Sequence, residues 1–486
     1  MPSFLLAVPV FLPILAGLVL ILKPDMAEHK RNIYTFAVSI INLVMVVLLC
    51  LFCRGEFKLI ELLDNVGIVF TVDGLGRVFA VLVSVLWPFS LLYGYEYMEH
   101  EERRGKFFGF FIMTLGSVIG IAFSADLLTL YIFYEILTLL TFPLVMHTMT
   151  EQAMSAGKSY LVYMLGGAAF AFVGMMVLMQ NTESLYFTLG GVAISGTTSK
   201  SFLVFVFFMM FCGFSVKAAM MPFGKWLISA AVAPMPVTAL LHAVAVVKAG
   251  AFAVIRLIYY IYGVDYVRGT WAQYAVILLT SATILYGSVM AVKEPHLKRR
   301  MAYSTISNLS YVLFGAALMT PLGLVAALAH LIVHAVTKIG LFFSVGAVMH
   351  VTDKEYIYEI DGLGRKMKWI FAAFTITACS LIGVPQFAGF ISKMRLLTAS
   401  IDTNDWGGYV GAFAILLSAL LTAVYLLMVV IRAYFPQDNA KCDNFDACHD
   451  PGWRMLIPIY FSVAAVVLLG ICWEPLLKVL TSIAGL

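Results

Sequence analysis

The chain has 486 residues, of which 62% are hydrophobic and only 12% are charged, with a formal net charge of +4. Soluble globular proteins carry about 25% charged residues, so this composition excludes an ordinary soluble domain and is typical of a polytopic membrane protein. The first apolar run precedes the first basic residue, Lys23, and has neither a positive n-region nor an A-x-A-like cleavage site. The sequence therefore predicts a retained first span instead of a removed signal peptide.

A membrane helix needs about 20 apolar residues, and on that criterion we predict an all-α membrane protein with about fourteen spans. The predicted spans are 2–22, 33–53, 75–95, 107–124, 127–147, 159–179, 202–222, 237–260, 272–292, 301–319, 322–349, 369–397, 408–434 and 453–480.

Lysine and arginine are concentrated in the odd-numbered connections between these spans, whereas the even connections hold few, with Arg256 counted among them. The positive-inside rule then places the odd connections in the cytoplasm and both termini outside a cell (plasma or inner) membrane. Residues 181–200 are the best candidate for an extracellular β-hairpin. No basic block resembles a nucleic-acid-binding arm.

The cysteines give little indication of chemistry. Cys50 and Cys53 close one span with no second pair nearby, so we interpret them as structural. Cys442, Cys448 and His449 share a polar loop and are the one candidate metal cluster, although a structural role is favoured. We expect no metal, no cofactor and no catalytic residue on this chain.

Charged residues inside the predicted spans are the main functional signal. Lys217 and Lys248 lie in apolar stretches, where a lysine costs roughly 2.5–3.5 kcal/mol unless it faces a partner or water. Pro222 follows Lys217 and predicts a helix break near Met221. Such a break is tolerated in a bilayer only where it is buried in protein or lines a wet cavity. The end of a half-helix also favours a cation through the helix dipole.

Glu135 is the candidate partner of such a lysine, because an opposite charge within about 4–6 Å favours the charged forms of both groups. A purely structural ion pair is the alternative. His330, His334 and Lys338 recur every four residues and share one helix face, which suits a proton chain. Interhelical hydrogen bonds of single histidines remain an alternative for this stripe. His242, on the span of Lys248, is the weakest candidate of the set.

Lys393 ends the segment GVPQFAGFISK, where Pro385 and two glycines predict a second interrupted span; a snorkelling lysine is the alternative. Asp126 is interpreted as a helix cap. The interrupted spans, the seventh and the twelfth, are five apart. This spacing predicts two five-helix repeats, spans 4–8 and 9–13, with the second inverted, as in secondary transport machinery. The corresponding segments are 1–106, 107–260, 261–434 and 435–486.

Five segments together resemble the antiporter-like, proton-translocating membrane subunits of respiratory complex I, membrane-bound hydrogenases and Mrp cation/proton antiporters. They read YEILTLLTFPLV, KAAMMPFGKWL, PMPVTALLHAVAVVKAGAFAVIRL, LKRRMAYSTISNLSYVLFG and GVPQFAGFISK, and they span about 130–395. The chain reads WLISAAVAP where the family often shows WLPDA, so the polar entry near Trp226 is in doubt. It looks more similar to the D-type subunits of Mrp complexes, with their hydrogenase counterparts, than to the longest complex I member.

The resemblance implies fourteen helices, inverted repeats and broken helices 7 and 12. It also implies roles: Glu135 with Lys217 as the first charge pair, Lys248 with the stripe His330, His334 and Lys338 as the central connection, and Lys393 as the terminal lysine.

The expected function is proton or cation/proton translocation by one subunit of a multi-subunit membrane complex, coupled to redox chemistry or cation flux in partner subunits. The parent complex is then an oxidoreductase, linked to ferredoxin, NADH or hydrogenase, with Fe–S or hydrogenase-like partners. A Mrp-type Na⁺/H⁺ antiporter subunit without a redox partner stays open. A self-contained transporter of an organic solute and a scaffold that has lost conduction are the remaining alternatives.

Overall fold

The computed structural model describes residues 1–63, 66–196, 198–436 and 448–485. In chain order the helices are α1 (Val8–Leu22), α2 (Glu28–Phe52), α3 (Gly74–Tyr97), α4 (Arg104–Ala122), α5 (Leu127–Val145), α6 (Glu151–Met179), α7 (Lys200–Lys217), α8 (Lys225–Ser229), α9 (Met235–Ala239), α10 (Val246–Arg256), α11 (Val264–Val267), α12 (Trp271–Lys293), α13 (Leu297–Ala317), α14 (Pro321–Thr352), α15 (Lys368–Ile382), α16 (Ala388–Asp402), α17 (Trp406–Tyr434), α18 (Trp453–Ile471) and α19 (Glu474–Ile483). A 3₁₀ turn, Ser3–Ala7, leads into α1, and π-helical turns, Leu240–Val244 and Leu257–Tyr262, flank α10.

Among these described residues, 12 helices are long and apolar enough to cross a membrane. The chain is therefore a polytopic, all-α, multi-pass membrane protein, as predicted. Two further predicted spans correspond to α13, which is more polar, and to α15 with α16, which are shorter. The exact number of fourteen spans stays a prediction, and so does the inverted relation of the two repeats.

The described helices divide into two compact units. The first comprises Met1–Leu91, Glu101–Val237 and Ala245–Val276, and the second comprises Leu92–His100, Thr238–Val244 and Ile277–Leu486. The first unit holds α4 to α8 and α10, and the second holds α13 to α19. The predicted four segments are not tested by this division.

The β-hairpin expected at 181–200 is wrong for the described part of that segment. Paired strands occur instead at β1 (Phe57–Leu63) and β2 (Val66–Phe70), antiparallel, with Lys58 opposite Val69. The backbone N–H groups of Gly190 and Val192 donate to the carbonyls of Tyr259 and Ile261, at 3.0 and 2.9 Å. Those carbonyls lie at the end of a helix and lack partners within it. The segment therefore pairs with a helix end in preference to itself.

The seventh span is broken, as predicted, although its helix ends at Lys217, four residues before Met221. Pro222 opposes helical backbone ahead of it, and Ala219 adopts the left-handed conformation with φ of 56°. The indole nitrogen of Trp226 then donates to the Val216 carbonyl at 2.8 Å. Trp226 thus satisfies one of the carbonyls left free where α7 ends, even though the chain departs from the family pattern after it.

The twelfth span is also broken. α15 ends at Ile382, and Gly383 follows with φ of 94°, a conformation that glycine adopts without steric cost. The Val384 N–H bonds back to the Cys379 carbonyl at 3.0 Å, and α16 begins only after Pro385, at Ala388. The break again follows from the Gly and Pro of the sequence.

The central helix of the second unit is α14. It begins with Thr320 as its N-cap, whose hydroxyl accepts the Gly323 N–H at 3.0 Å, and with Pro321 at its first position, where a missing N–H is tolerated. Every residue in 323–348 is buried. The polar side chains on this helix must therefore be satisfied within the protein.

Candidate functional site

Glu135 and Lys217 meet in the first unit. The Lys217 Nζ lies 3.8 Å from the Glu135 Oε1, with the lysine side chain 1% exposed and the glutamate 20% exposed. That separation is an ion pair but is too long for a hydrogen bond. The two groups are therefore electrostatically coupled, and a small movement of either helix would strengthen or weaken the interaction.

Tyr134 gives Lys217 a second, uncharged set of partners. The Lys217 ammonium donates to the Tyr134 carbonyl and lies 3.3 Å from the centroid of the Tyr134 ring. Cation–π contact of this kind stabilises a desolvated ammonium. Because Tyr134 and Glu135 are neighbours on α5, one helix presents both partners to the lysine.

Gly250 allows α10 to approach the broken end of α7. A Cβ at Gly250 would lie 2.6 Å from the Ala218 nitrogen and 2.9 Å from the Lys217 Cβ. The position therefore requires glycine, because a side chain there would displace the lysine backbone. Lys248, two residues earlier on α10, is fully buried in the same unit.

The predicted stripe on α14 is continuous. The rings of His330 and His334 have centroids 6.2 Å apart, and both residues are buried, as is Lys338 one turn further. The His330 Nδ1 lies 3.0 Å from the Ser392 hydroxyl of α16. The stripe thus reaches from Lys338 to the residue that precedes Lys393.

Lys338 is held by uncharged oxygen atoms. Its Nζ donates to the Ser304 hydroxyl at 2.7 Å and to the Met301 carbonyl at 2.9 Å, both on α13. The Tyr425 hydroxyl of α17 donates to the same Ser304 oxygen at 2.8 Å. Among the described residues no carboxylate forms an ion pair with Lys338, which distinguishes it from Lys217.

Lys393 lies just after the second helix break. Its Nζ donates to the Ile382 carbonyl at 3.1 Å, the last residue of α15, and lies 5.5 Å from the centroid of the Tyr311 ring. A cation at a helix C-terminus interacts favourably with the helix dipole. The side chain is buried, so it does not snorkel to the membrane surface.

His242 lies in the π-helical turn Leu240–Val244, and its ring contacts Phe342 at a centroid distance of 4.9 Å. Phe342 is one turn beyond Lys338 on α14. π-helical turns occur frequently at functional sites. His242 therefore belongs with the α14 stripe in the second unit, whereas Lys248 belongs to the first unit.

The sequence reasoning missed one buried charge pair. Arg256, counted there with the connections, is the last residue of α10 and is fully buried. Its guanidinium forms two hydrogen bonds with the Asp73 carboxylate, one of them 2.7 Å long. Burial raises the pKa of Asp73, but the charge and hydrogen bonds of Arg256 outweigh it and hold that pKa below its usual value.

Asp126 is the helix cap that the sequence predicts. Its carboxylate accepts the Thr129 N–H at 2.7 Å and the Thr129 hydroxyl at 2.9 Å, at the start of α5. Burial raises the pKa of Asp126 to about 6, and the Thr129 hydrogen bonds oppose that shift. The residue therefore has a structural role beside the site.

No group of three or more His, Cys, Asp or Glu in the described part of the chain could hold a metal ion. Cys442 lies outside the described residues, so the cluster suggested by Cys442, Cys448 and His449 stays a prediction. Cys50 and Cys53 are buried free thiols.

Chemically, these side chains are titratable groups without a substrate cavity around them. Lysine and histidine exchange protons, and each of the groups described above has a partner that stabilises its charged form or its neutral form. The described arrangement suits proton transfer and offers no nucleophile or oxyanion site for covalent catalysis.

Known proteins share these features. Residues 124–422 match the family described as NADH:quinone oxidoreductase/Mrp antiporter, TM. The chain is 30% identical over 429 residues to NADH-quinone oxidoreductase subunit N of Desulforudis audaxviator, covering 85% of this chain and 83% of that protein. It is 27% identical over 479 residues to one component of a probable K(+)/H(+) antiporter of Rhizobium meliloti, covering 96% of this chain but 47% of that protein.

The fold agrees with a solved structure of the same kind. A chain in the structure of the Mrp complex from Dietzia sp. DQ12-45-1b superposes with a TM-score of 0.86, at 20% identity, over 99% of this chain and 96% of that one. The relatives are named as subunits or lie within a complex, as expected for a protein that assembles with other membrane subunits. The chain belongs to the family of membrane subunits shared by NADH:quinone oxidoreductases and Mrp antiporters.

Proposed function

We propose that this chain is the proton-translocating, or cation/proton-translocating, subunit of a larger membrane complex. The observation that carries the proposal is the Lys217–Glu135 pair, 3.8 Å apart, at the broken end of α7. A buried lysine with one adjustable counter-charge changes its hold on a proton whenever that counter-charge moves. The break supplies the place where such movement costs little backbone hydrogen bonding.

The proposed path begins at Glu135 and Lys217, continues to Lys248, follows the α14 stripe and ends at Lys393. When Glu135 is close, the ammonium form of Lys217 is stabilised. When it withdraws, desolvation favours the neutral amine and the proton leaves for the next group. Coulomb energy between close charges in a protein is about 4 kcal/mol at an effective dielectric of 20, enough to drive such a step.

The α14 stripe supplies the continuation. His330, His334 and Lys338 can each hold or release a proton, and neutral histidine both donates and accepts a hydrogen bond. His242 contributes a further ring beside Phe342. The Ser392 hydroxyl, bonded to His330, provides the last contact before Lys393.

Coupling to redox chemistry in partner subunits is the favoured version. Its support is the match, over most of both chains, to one subunit of an NADH-quinone oxidoreductase. Partners then include Fe–S or hydrogenase-like subunits, and this chain needs no cofactor of its own. We place it in the plasma or inner membrane, with both termini on the outer side, from the distribution of lysine and arginine.

Cation/proton antiport without a redox partner is the second candidate. It is favoured by the near-complete superposition on a chain of the Mrp complex. The buried residues suit either version, since both need the same line of proton-exchanging groups.

Purification from the native source in mild detergent, followed by mass spectrometry of the co-purifying subunits, separates the two. Fe–S or hydrogenase-like subunits, with proton uptake on addition of an electron donor, support redox coupling. Small membrane subunits without metal centres, with Na⁺-dependent proton flux, support antiport. Recovery of the chain alone, active as a solute transporter, would contradict both.

The path itself is tested by replacing Lys248, Lys338 and Lys393 with alanine, one at a time, in the assembled complex. Each variant is expected to lose proton transport. Full transport by any one of them, with subunit composition unchanged, would remove that lysine from the path.

A further inference from the structure

Lys338 is the fully buried lysine for which the described residues supply no ion-pair partner, so something else must stabilise its charge. Transfer of an unsolvated ammonium into protein is unfavourable by several kcal/mol. The two acceptors it has, Ser304 and Met301, are neutral, and the hydrogen bonds to them are short. Two hydrogen bonds to neutral oxygen therefore replace the carboxylate that serves Lys217.

The Ser304 hydroxyl occupies a special position, because it accepts two hydrogen bonds at once. Lys338 donates from one side at 2.7 Å and the Tyr425 hydroxyl donates from the other at 2.8 Å. A hydroxyl oxygen has two lone pairs and one hydrogen, so both acceptor sites are used while Lys338 is charged. All three residues are buried, so water does not compete from the bulk.

Tyr425 is fixed in place independently of Lys338. Its backbone carbonyl accepts from the Arg300 guanidinium at 2.9 Å, and its hydroxyl also lies 3.4 Å from the Thr422 hydroxyl. The Ser304 hydroxyl, by contrast, can rotate about its C–O bond. The pair therefore combines one fixed donor with one rotating group.

We infer that Ser304 and Tyr425 are positioning residues that stabilise Lys338 in both its charged and its neutral state, which rests on the proposed function. When Lys338 gives up its proton, one N–H bond breaks and the electron pair stays on Nζ. The Ser304 hydrogen then turns toward that lone pair, while its oxygen still accepts from Tyr425. No proton passes through either hydroxyl, and neither O–H bond breaks.

The two hydroxyls act in opposite directions on this balance. Ser304 accepts a charge-assisted hydrogen bond from the ammonium, which is roughly twice as strong as the neutral one it donates to the amine. Donation from Tyr425 polarises Ser304, making it a better donor and a poorer acceptor. Ser304 therefore favours the charged lysine, and Tyr425 favours the neutral lysine.

Other titratable and charged groups surround Lys338 on the helices that pack in its unit. They are His330 and His334 on α14, Arg300 on α13, Cys379 on α15, Lys393 on α16 and His242 in the π-helical turn. None of them changes in the test that follows, so their contributions are common to all variants.

The test is the pH profile of proton transport by the complete complex carrying Ser304→Ala or Tyr425→Phe. Ser304→Ala is expected to move the alkaline limb to lower pH and Tyr425→Phe to move it to higher pH, each by about 0.5–1 pH unit, the effect of one hydrogen bond. Shifts in the same direction, or none in either variant, would overturn the inference.

Matched controls remove the same atoms elsewhere in the second unit. Tyr93→Phe removes a buried hydroxyl that donates to the Phe343 carbonyl at 3.0 Å, and Ser344→Ala removes one that donates to the Gly340 carbonyl at 2.8 Å. Both are expected to leave the profile unshifted. Lys338→Ala separates the two proposals: if it leaves transport intact the path is wrong, whereas its loss with unshifted profiles refutes only the role of the hydroxyl pair.

Discussion

Arg256 donates two hydrogen bonds to Asp73, joining residues 183 positions apart in the sequence. The guanidinium carbon also lies 4.6 Å from the ring centroids of Phe187 and Tyr260. The pair therefore ties the start of α3 to the end of α10 and anchors the segment that contains Phe187. This contact fixes the helix that presents Gly250 to Lys217.

Arg256→Gln is expected to lower the thermal unfolding midpoint of the purified protein. The substitution leaves the Asp73 carboxylate, 30% exposed, without its counter-ion. Removing one partner of a buried pair costs about 3–5 kcal/mol, and partial exposure of Asp73 places this case at or below the lower end. Arg268→Gln, an exposed arginine in the same unit, is the control and is expected to change little.

The pH dependence of that difference follows from Asp73. Because its pKa is lowered in the folded protein, the pair stabilises the fold above the usual value of 3.8 and loses its effect as pH falls below it. Equal midpoints for Arg256→Gln and the wild type at neutral pH would show that the pair is not stabilising.

Asp126→Asn is expected to raise the unfolding midpoint at pH 8. Burial raises the pKa of Asp126 to about 6, so the fold favours the protonated acid. Stability from this group is then complete below pH 3.8, falls as pH rises to 6 and is constant above it. Asparagine keeps an acceptor for the Thr129 N–H without the buried charge, which corresponds to a gain of about 1–3 kcal/mol.

The gain should disappear at pH 4, where both side chains are neutral. Asp405→Asn, a cap that accepts the Gly408 N–H at 2.7 Å at the start of α17, controls for the chemical change at a capping position. A loss of stability at pH 8 with Asp126→Asn, as large as that caused by Asp126→Ala, would contradict the burial argument.

Gly250→Ala is expected to reduce proton transport about 10-fold to 100-fold, because small displacements of reacting groups have effects of that size. The new Cβ would meet the Ala218 nitrogen at 2.6 Å and would push the Lys217 backbone away from Glu135. Gly166→Ala on α6 provides the control, since nothing lies within 4 Å of the added atom. Equal transport by both variants would show that Lys217 tolerates the displacement.

The main features of the fold and site are predictable from local sequence. A lysine or glutamate inside an apolar run has few explanations other than a partner or a pathway, which identified Glu135 and Lys217. Pro222 and Gly383 have backbone restrictions that predict the two helix breaks. These signals are local, and the structure brings the predicted pair within 3.8 Å.

The remaining features depend on long-range packing. Ser304 and Tyr425 are ordinary residues of membrane helices, where a hydroxyl commonly bonds its own backbone, so neither indicates a site without the position of Lys338. Arg256 ends an apolar run and was therefore assigned to a connection, although Asp73 draws it into the protein. The 181–196 segment has glycines typical of a hairpin turn, but the free carbonyls that it satisfies belong to a distant helix.

Proton transport by the assembled complex carrying Lys217→Ala tests the central claim most directly. The complex is purified, its subunit composition is verified, and proton flux is measured in sealed vesicles beside Lys225→Ala, an exposed lysine at the start of α8. The account predicts that Lys217→Ala reduces transport to background while Lys225→Ala leaves it unchanged. Undiminished transport by a correctly assembled Lys217→Ala complex would contradict the assignment of Lys217 and Glu135 as the switching pair.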